Sequence, residues 1–265
     1  MNDKFENLKK IINDYGSVII AFSGGVDSSL LAKLSYEILK ENAIAVTGIS
    51  EVISKSEIEN AKKIANEIGI KHIIIETSEL ENPEFIKNDK NRCYYCKSEL
   101  FCKLLQIAKN EKCNYVIEGS NIDDLNDYRP GMKAIKEAGI KQPYIEAGIS
   151  KKEIREYAKQ LNLSNWLKPA NPCLSSRIPY GQNIEITKLR RIELAEEFLK
   201  NFDIENIRVR DYNEIARIEV NKSDFKKIFE NAESIIINLK KLGYKYITLD
   251  LEGYKTGSMN KVLIE

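Results

Sequence analysis

The sequence has almost no net charge. Its 41 Lys and Arg residues and 40 Asp and Glu residues leave a formal charge of +1 over 265 residues. A protein that binds nucleic acid or an anionic membrane through its overall field carries a clear positive excess. The composition therefore does not indicate that class of function, and an anion site in this chain must be local.

Long apolar runs and cysteines are also scarce. No run approaches the roughly 18–20 apolar residues of a membrane span, and the N-terminus is charged, unlike a signal peptide. We therefore expect a cytoplasmic protein. Five cysteines are too few for a disulfide scaffold in a chain of this length, and in a reducing compartment a Cys-x-x-Cys pair more often indicates metal or redox chemistry.

Strand-like and helical patterns alternate through the first part of the chain. The strand-like runs cover 17–22, 43–49, 71–76 and 114–118, and the helical patterns between them cover 28–40, 54–68 and 94–111. This alternation is typical of βαβ units, with a parallel sheet, helices on both faces and ligands at the carboxyl ends of the strands. The predicted fold class is α/β.

A change of pattern predicts a second domain. Ser150 to Glu153 form a capping box that starts a helix to about Leu161, after which periodicity is lost through 168–172. We expect a nucleotide-binding domain over 1–168 and an α+β domain for substrate binding or oligomerisation over 169–265. The latter has a helix near 186–200, a hairpin at 206–220, two helices near 223–242 and a strand near 245–250.

The stretch AFSGGVDSS, residues 21–29, follows the first strand and opens the first helix. Glycines allow close approach to the backbone, and a helix N-terminus presents unpaired N–H groups, so a phosphate is the expected ligand. The P-loop signature and the G-x-G-x-x-G motif are both absent. The stretch resembles the PP-loop of ATP pyrophosphatases, which cleave ATP between the α and β phosphates to adenylate a substrate. The resemblance implies these ATP-binding residues: Ala21, Ser23, Gly24, Gly25, Asp27, Ser28, Ser29 and, after the fourth strand, Gly119.

Two adjacent carboxylates, Asp123 and Asp124, follow the fourth strand at the same edge of the predicted sheet. Carboxylate oxygens suit Mg²⁺ bound together with ATP phosphates. Asp124 is therefore a candidate magnesium ligand, and the PP-loop resemblance implies that Asp27 acts at the same ion. The alternative is a solvated acidic turn.

Three cysteines have a spacing that suggests a metal. Cys93 and Cys96 start a helix, and Cys173 lies in the loop at the domain boundary. Three thiolates do not complete a structural zinc site, but they can hold a 4Fe-4S cluster whose fourth iron stays open to hydrosulfide. The alternatives are a redox pair with Cys173 as a spectator, or a zinc site completed by a carboxylate. Cys102 and Cys113 are expected in the core.

Residues 207–219 alternate between apolar and charged side chains, which predicts a hairpin with arginines on one face. With a turn at 212–213, Arg208 would oppose Arg217. Like charges in that position are destabilising, so the arginines are expected to bind a phosphate. The alternative is a solvated face offset by the acidic residues Glu205, Glu214 and Glu219.

Together these motifs resemble the LarE family, the sulfur transferases of nickel-pincer nucleotide biosynthesis. The motifs that carry the resemblance are 119–124 (GSNIDD), 127–131 (DYRPG), 168–169 with 173–177 (KP, CLSSR), 179–181 (PYG), the arginine hairpin and 250–259 (DLEGYKTGSM). The resemblance implies that ATP adenylates a carboxylate of pyridinium-3,5-biscarboxylic acid mononucleotide with release of pyrophosphate. Sulfur then displaces AMP to give a thiocarboxylate, and the step occurs twice.

The resemblance also implies roles for residues. Members with a single cysteine at the position of Cys173 donate its sulfur, whereas Cys93 and Cys96 indicate the cluster-dependent branch. Lys97 and Arg129 are candidate charge stabilisers beside the catalytic Cys173 and Asp27. The residues expected at the substrate phosphate are Ser176, Arg177, Glu196, Arg208, Arg210 and Arg217. The expected cofactors are ATP, Mg²⁺ and a 4Fe-4S cluster, the expected ligand is a small mononucleotide, and a homo-oligomer is expected.

Three other functions share parts of this pattern. A tRNA thiolase has a PP-loop and often three cysteines, but it predicts a basic tract that the +1 total does not provide. An amidotransferring ligase would not need the three thiols. A nucleotide-binding sensor would release no pyrophosphate.

Overall fold

The computed structural model describes residues 2–126 and 130–263, and the chain divides into two compact units. The first unit comprises the residues up to Glu79 together with Cys93–Ala170. The second comprises Leu80–Arg92 and the chain from Asn171 onward. The sequence analysis placed residues 80–92 in the first domain. The structure instead groups this segment with the second unit.

A four-stranded parallel sheet forms the centre of the first unit. Its strands are β1 (Val18–Ala21), β2 (Ala43–Ile49), β3 (Lys71–Glu76) and β4 (Tyr115–Ile117), in the order β3-β2-β1-β4. All three pairings are parallel, and β1 pairs with β2 from Val18 opposite Ala43 to Ala21 opposite Val46. The α/β fold class predicted from the alternating pattern is confirmed.

The helices were predicted less completely than the strands. The α-helices of the described residues are α1 (Asn2–Tyr15), α2 (Val26–Leu39), α3 (Lys55–Ile68), α4 (Pro83–Ile86), α5 (Arg92–Asn110), α6 (Gly131–Glu137), α7 (Pro143–Glu146), α8 (Lys151–Gln160), α9 (Ile186–Lys200), α10 (Phe225–Glu230) and α11 (Ala232–Lys241). The sequence analysis missed α1, whose Phe5, Leu8 and Ile12 are fully buried at helical spacing. Within residues 2–126 and 130–263, no helix is both long and apolar enough to cross a membrane.

Helices cover both faces of the first sheet. Val18 and Ile20 of β1 belong to one buried cluster, whereas Ile19, between them, belongs to another with Phe101 and Leu104 of α5. Successive residues of a strand point to opposite faces, so both faces of β1 are buried. Burial on both faces explains the unbroken apolar run in this strand.

The second unit is built on a three-stranded sheet. Strand β5 (Arg208–Tyr212) pairs antiparallel with β6 (Ile215–Glu219), and β7 (Tyr246–Leu249) pairs parallel with β6. The core residues Val209 and Ile218 pack in one cluster with Leu199 of α9 and Leu239 of α11. This arrangement matches the α+β pattern expected for the C-terminal part of the chain.

The predicted turn of the hairpin is wrong by one residue. Tyr212 pairs with Ile215, so Asn213 and Glu214 form the two-residue turn. Asn213 has φ +62°, which asparagine tolerates better than most residues and which two-residue hairpin turns require. The turn is therefore placed by the residue that can adopt its backbone conformation.

The corrected register changes which charges face each other. Arg208 lies opposite Glu219, and the residue opposite Arg217 is Arg210. Arg208 is 6% exposed and Glu219 is 0% exposed. The alternative of a fully solvated arginine face is therefore wrong for Arg208 and Arg210, which are both buried.

Segment Leu80–Arg92 binds the backbone of a later loop in the second unit. The buried Asn88 donates from Nδ2 to the carbonyl oxygens of Ile178, Pro179 and Gln182, at 3.2, 2.8 and 3.1 Å. Arg92 donates from Nη1 to Asn88 Oδ1 and to the carbonyl oxygen of Ser175. These bonds explain why the segment belongs to the second unit.

The capping box at the start of α8 gives a first prediction. Ser150 N donates to Glu153 Oε2 at 2.8 Å, and the Ser150 side chain accepts from Glu153 N. This backbone bond, with Lys4 as a further partner, lowers the pKa of Glu153 to about 2. Because the pKa of Glu153 is lower in the folded protein than in the unfolded chain, the ionised carboxylate stabilises the fold at pH values above the unfolded pKa. This stabilisation is lost as the pH falls to the folded pKa.

We therefore expect Glu153→Gln to lower the free energy of unfolding by about 0.5–1 kcal/mol at pH 7. The difference from the wild type should shrink below about pH 4.5 and vanish near pH 2. Urea denaturation across this pH range measures it. The control is Glu156→Gln, because Glu156 is an exposed residue of the same helix. An equal effect of both substitutions would contradict the prediction.

Candidate functional site

The glycine loop between β1 and α2 is fixed by backbone packing. Gly24 has φ +68°, and a Cβ placed on it would lie 2.7 Å from Ala61 Cα and 2.9 Å from Asn60 Nδ2 of α3. Real Cβ atoms do not approach backbone this closely, and side chains rarely adopt this φ. Only glycine fits at this position while the loop lies against α3.

Hydroxyl groups hold the loop in shape. Ser28 Oγ accepts from Ser23 N at 3.2 Å and donates to the Gly25 carbonyl at 3.1 Å, and Ser23 Oγ accepts from Gly25 N at 3.3 Å. Within the described part of the chain, no side chain caps α2 at Gly25. A helix start without a side-chain cap leaves first-turn N–H groups for an anion, and phosphate binding here stays a prediction.

Two asparagines that the sequence analysis missed also hold this loop. Asn60 and Asn165 each donate from Nδ2 to the Gly24 carbonyl at 2.9 Å. Asn165 Nδ2 also lies 2.8 Å from Ser29 Oγ, and Ser29 is fully buried. The Ser29 hydroxyl, predicted to contact ATP, is therefore engaged within the protein. No pattern in the sequence predicts that two isolated asparagines, 105 residues apart, contact the same carbonyl.

Asp27, in the first turn of α2, is the carboxylate nearest to the loop. Its Oδ2 accepts from Lys151 Nζ, and its Oδ1 is buried with no hydrogen-bond partner among the described residues. Burial raises the pKa of Asp27, against the opposing effect of Lys151. An unpartnered carboxylate oxygen beside a phosphate loop fits a magnesium ligand. Lys151 was missed, although the capping box had placed the start of its helix.

The end of β4 lies against the first turn of α2. A Cβ on Gly119 would lie 3.2 Å from Asp27 Cβ and from Ser28 N. The short helical turn that follows carries Asp124, whose Oδ2 accepts from Asn121 N at 3.0 Å. The charge of Asp124 adds to the raised pKa of Asp27, so the two predicted magnesium ligands lie in one region.

Lys97 of α5 lies at the same end of the sheet. Its Nζ is 3.8 Å from Oε2 of Glu118, a buried residue directly after β4. The stem of Lys97 packs on Gly131, where a Cβ would lie 2.7 Å from Lys97 Cδ. The role of Lys97 as a charge stabiliser stays a prediction. Arg129, the other predicted charge stabiliser, lies outside the described residues.

Cys93 and Cys96 both lie at the start of α5 in the first unit. Cys93 is exposed, and Cys96 Sγ donates to Oε1 of the buried Glu79 at 3.5 Å. Cys173 belongs to the second unit. Nowhere in residues 2–126 and 130–263 do three His, Cys, Asp or Glu side chains form a group that could hold a metal ion.

The other two cysteines differ from each other. Cys113 is partly buried and packs against the core, as expected. Cys102 is exposed, so its predicted core position is wrong. The buried neighbours Phe101 and Leu104 occupy the inward face of α5, and position 102 falls on the outward face.

The loop that carries Cys173 is fastened by Arg177, which is 1% exposed. Arg177 Nη1 donates to the carbonyl oxygens of Pro172 and Cys173, at 2.5 and 3.2 Å. Its Nε and Nη2 donate to the two carboxylate oxygens of Glu196, at 2.9 and 3.0 Å. The structure therefore brings together three of the predicted residues of the second unit.

The hairpin arginines surround the buried Glu219. Arg210 Nη2 donates to Glu219 Oε2 at 2.7 Å, and Arg217 Nη2 donates to Oε1 at 2.9 Å. Arg210 Nη1 also donates to the carbonyl oxygen of Ser176 at 3.0 Å. Among the described residues, the Nε atoms of Arg210 and Arg217 are buried without a hydrogen-bond partner, although Arg217 Nε lies 3.5 Å from Asp250 Oδ2. The Nε donor of Arg210 is therefore left over in this cluster.

Arg208 is a further buried arginine of the cluster. Its guanidinium lies over the ring of Tyr254, 5.1 Å from the centroid. Burial lowers the pKa of Arg208, and the charge of Arg177 lowers it further. An anion bound here would relieve both effects, which supports the predicted phosphate site.

Comparisons with known proteins bear on both units. Residues 1–92 match the family model of NAD synthase. An uncharacterized protein of Synechocystis sp. is 43% identical over 265 residues, which cover 99% of each chain. A tRNA-specific 2-thiouridylase of Halothermothrix orenii is 27% identical over 194 residues, 57% of this chain and 53% of the relative.

One comparison covers nearly the whole chain and has an assigned name. The pyridinium-3,5-bisthiocarboxylic acid mononucleotide synthase of Lactiplantibacillus plantarum is 35% identical over 262 residues, which cover 98% of this chain and 95% of that enzyme. The match spans the glycine loop, the Cys173 loop and the arginine hairpin, as the motifs indicated. The chain therefore belongs to the LarE family, within the ATP-dependent enzymes of the PP-loop fold.

Proposed function

We propose that this protein is an ATP-dependent sulfur transferase that adenylates the carboxylates of pyridinium-3,5-biscarboxylic acid mononucleotide and converts them to thiocarboxylates. The observation that carries the proposal is the bond between Arg210 and the carbonyl of Ser176, which ties the buried arginines to the loop of Cys173. A phosphate-binding cluster and a thiol-bearing loop thus belong to one hydrogen-bonded arrangement. Sulfur transfer to a mononucleotide requires both a site for the phosphate and a thiol near the reacting carboxylate.

In the first unit, the glycine loop and the start of α2 are proposed to bind the phosphates of ATP. The helix N-terminus stabilises the negative charge that develops on the leaving pyrophosphate. Asp27, through its unpartnered Oδ1, and Asp124 would hold Mg²⁺, which neutralises phosphate charge when bound. Lys97 and Lys151 add positive charge at the same end of the sheet.

The proposed reaction has two displacements. A substrate carboxylate oxygen attacks the α-phosphorus of ATP, the bond to the bridging oxygen breaks, and pyrophosphate leaves. A sulfur nucleophile then attacks the adenylated carbon, and AMP leaves with the oxygen that joined the carbon to phosphorus. The enzyme contributes positioning and charge stabilisation, which supply most of the rate in such transfers.

In the second unit, the hairpin arginines are proposed to bind the phosphate of the mononucleotide. Arg210 retains an Nε without a hydrogen-bond partner, and Arg217, whose Nε lies 3.5 Å from Asp250 Oδ2, is partly exposed. Arginine binds phosphate through paired N–H donors. Ser176, whose carbonyl accepts from Arg210, lies at the same cluster.

We also propose that Cys93, Cys96 and Cys173 bind a 4Fe-4S cluster. Thiolates are the usual ligands of such clusters, and an open fourth iron would offer a place for sulfide. The three thiols fit the cluster in kind, with Cys93 and Cys96 in the first unit and Cys173 in the second. No reaction step is assigned to the cluster. The alternative that the resemblance implies is sulfur donated by Cys173 itself.

The function is tested by incubating anaerobically purified protein with ATP, Mg²⁺, the mononucleotide and sulfide. We expect pyrophosphate and AMP, together with a product in which oxygen is replaced by sulfur in two carboxylates, measured by mass spectrometry. Pyrophosphate release that required tRNA or ammonia would contradict the proposal and favour a thiolase or a ligase. Release with no added substrate other than ATP would also contradict it.

The absorption spectrum of the same preparation tests the cluster. Iron–sulfur features that disappear in each of Cys93→Ala, Cys96→Ala and Cys173→Ala would support it. The matched control is Cys102→Ala, which removes an exposed thiol of the same helix as Cys93. Zinc alone, or iron–sulfur features that do not depend on Cys173, would contradict the cluster. Loss of the mass of hydrogen sulfide from Cys173 would favour self-donation.

A further inference from the structure

Arg177 has no hydrogen-bond donor left for a ligand. A guanidinium has five N–H donors. In Arg177 the Nε donor and one Nη2 donor bind Glu196, and the other Nη2 donor binds Asn171 Oδ1 at 2.9 Å. The Nη1 donors face the carbonyl oxygens of Pro172 and Cys173, with Ser176 Oγ also at 3.0 Å. A phosphate could bind Arg177 only after breaking one of these buried bonds.

The Cys173 loop depends on arginines for its shape. Arg177 binds the carbonyls of Pro172 and Cys173, and two further arginines, Arg92 and Arg210, bind those of Ser175 and Ser176. These charged donors add to the loop's own backbone bonds, from Ser176 N to the Cys173 carbonyl and from Ile178 N to the Ser175 carbonyl. Removing Arg177 would take away the charged donor of two carbonyls, and unpaired buried carbonyls are costly.

We propose that Arg177, itself oriented by Glu196, is a positioning residue that fixes the Cys173 loop and does not bind the substrate phosphate. This inference deepens the proposed function and rests on it. Phosphate recognition then falls to the hairpin arginines, since Arg210 retains an Nε without a hydrogen-bond partner and Arg217 is partly exposed. Arg177 acts on sulfur transfer only by holding Cys173 in place.

The test separates loop order from phosphate binding. Arg177→Lys keeps the positive charge but loses the planar fork that reaches six acceptor atoms. We expect amide hydrogen exchange in peptide 171–178 to accelerate about tenfold or more. Without Arg177, the backbone bonds from Ser176 N to the Cys173 carbonyl and from Ile178 N to the Ser175 carbonyl should open more often. The affinity for inorganic phosphate, measured by calorimetry, should stay within about twofold of the wild type.

The matched control is Arg217→Gln, which removes a partly exposed arginine of the same cluster. We expect it to lower phosphate affinity about tenfold and to leave exchange in peptide 171–178 unchanged. Loss of phosphate affinity in Arg177→Lys, with unchanged exchange in the loop, would overturn the inference.

A second variant covers the case in which Arg177→Lys does not fold. Glu196→Gln removes the charge that orients Arg177 but keeps an oxygen for Val209 N, which Glu196 Oε1 now accepts at 3.0 Å. It should accelerate exchange in the loop and leave phosphate binding unchanged, and the reverse result would overturn the inference. Neither measurement involves sulfur chemistry, so a failed sulfur-transfer assay leaves this test decisive.

Discussion

Cys173→Ala is expected to abolish thiocarboxylate formation while ATP-dependent pyrophosphate release continues. In the proposed function, Cys173 either donates sulfur or helps to bind the group that does, so its removal ends sulfur delivery by either route. In the proposed function, adenylation uses the glycine loop and carboxylates of the first unit and does not use the Cys173 thiol. We expect thiocarboxylate formation to fall by about 10³-fold or more.

Two assays on one reaction mixture measure this split. Mass spectrometry follows the thiocarboxylate, and a coupled assay follows pyrophosphate. The control is Cys102→Ala, which removes another accessible thiol and should change neither signal. Thiocarboxylate formation at the wild-type rate in Cys173→Ala would refute the assignment of Cys173.

Gly24→Ala is expected to be the most damaging single change in the glycine loop. A left-handed φ costs an alanine about 1–2 kcal/mol. The added Cβ would also lie 2.7 Å from Ala61 Cα, and α3 must move to admit it. Overpacking adds about 1–3 kcal/mol, so we expect a total loss of about 3 kcal/mol in the free energy of unfolding. ATP affinity should fall about tenfold or more as the loop moves.

A second glycine isolates the steric part of this effect. Gly139 has φ +67°, close to that of Gly24, but no atom lies within 4 Å of its added Cβ. Gly139→Ala should therefore cost only about 1–2 kcal/mol and leave ATP affinity unchanged. Denaturant unfolding and ATP titration compare the variants. Equal destabilisation by both substitutions would show that contact with α3 is unimportant.

The parallel sheet could be predicted because local patterns determine it. The predicted runs 43–49 and 71–76 match β2 and β3 residue for residue, and 186–200 matches α9. These segments have strong periodicity and clear breaks at their ends. The first helix has the same helical spacing of apolar residues in Phe5, Leu8 and Ile12, so it could also have been predicted from the sequence.

The contacts of the site could not be predicted in the same way. Asn60, Lys151 and Asn165 reach the glycine loop from three different helices or loops, and nothing local marks them. The register of the hairpin depends on which residues form the turn, and the turn includes Asn213 because asparagine adopts the positive φ that the turn requires. A shift of one position changed the partner of Arg208 from an arginine to Glu219. Pairing over long distances is set by the whole fold.

Arg177 shows a further limit of motif reasoning. A motif that holds arginine near a phosphate site does not reveal which donors remain free. Only the bonds to Glu196, Asn171 and the loop carbonyls show that Arg177 is already saturated. The bonds of Arg177 support the proposed division of the arginines into one that holds the Cys173 loop and others that bind the anion.

Segment Leu80–Arg92 belongs to the second unit, which limits how the protein can be divided into fragments. The chain passes between the units at three places, so one cut near residue 170 does not yield two self-contained fragments. An N-terminal fragment would carry Asn88 and Arg92 without the carbonyls that they bind, and a C-terminal fragment would lack those donors. A chimaera of two relatives should therefore fold only if segment Leu80–Arg92 and the chain from Asn171 onward come from the same relative.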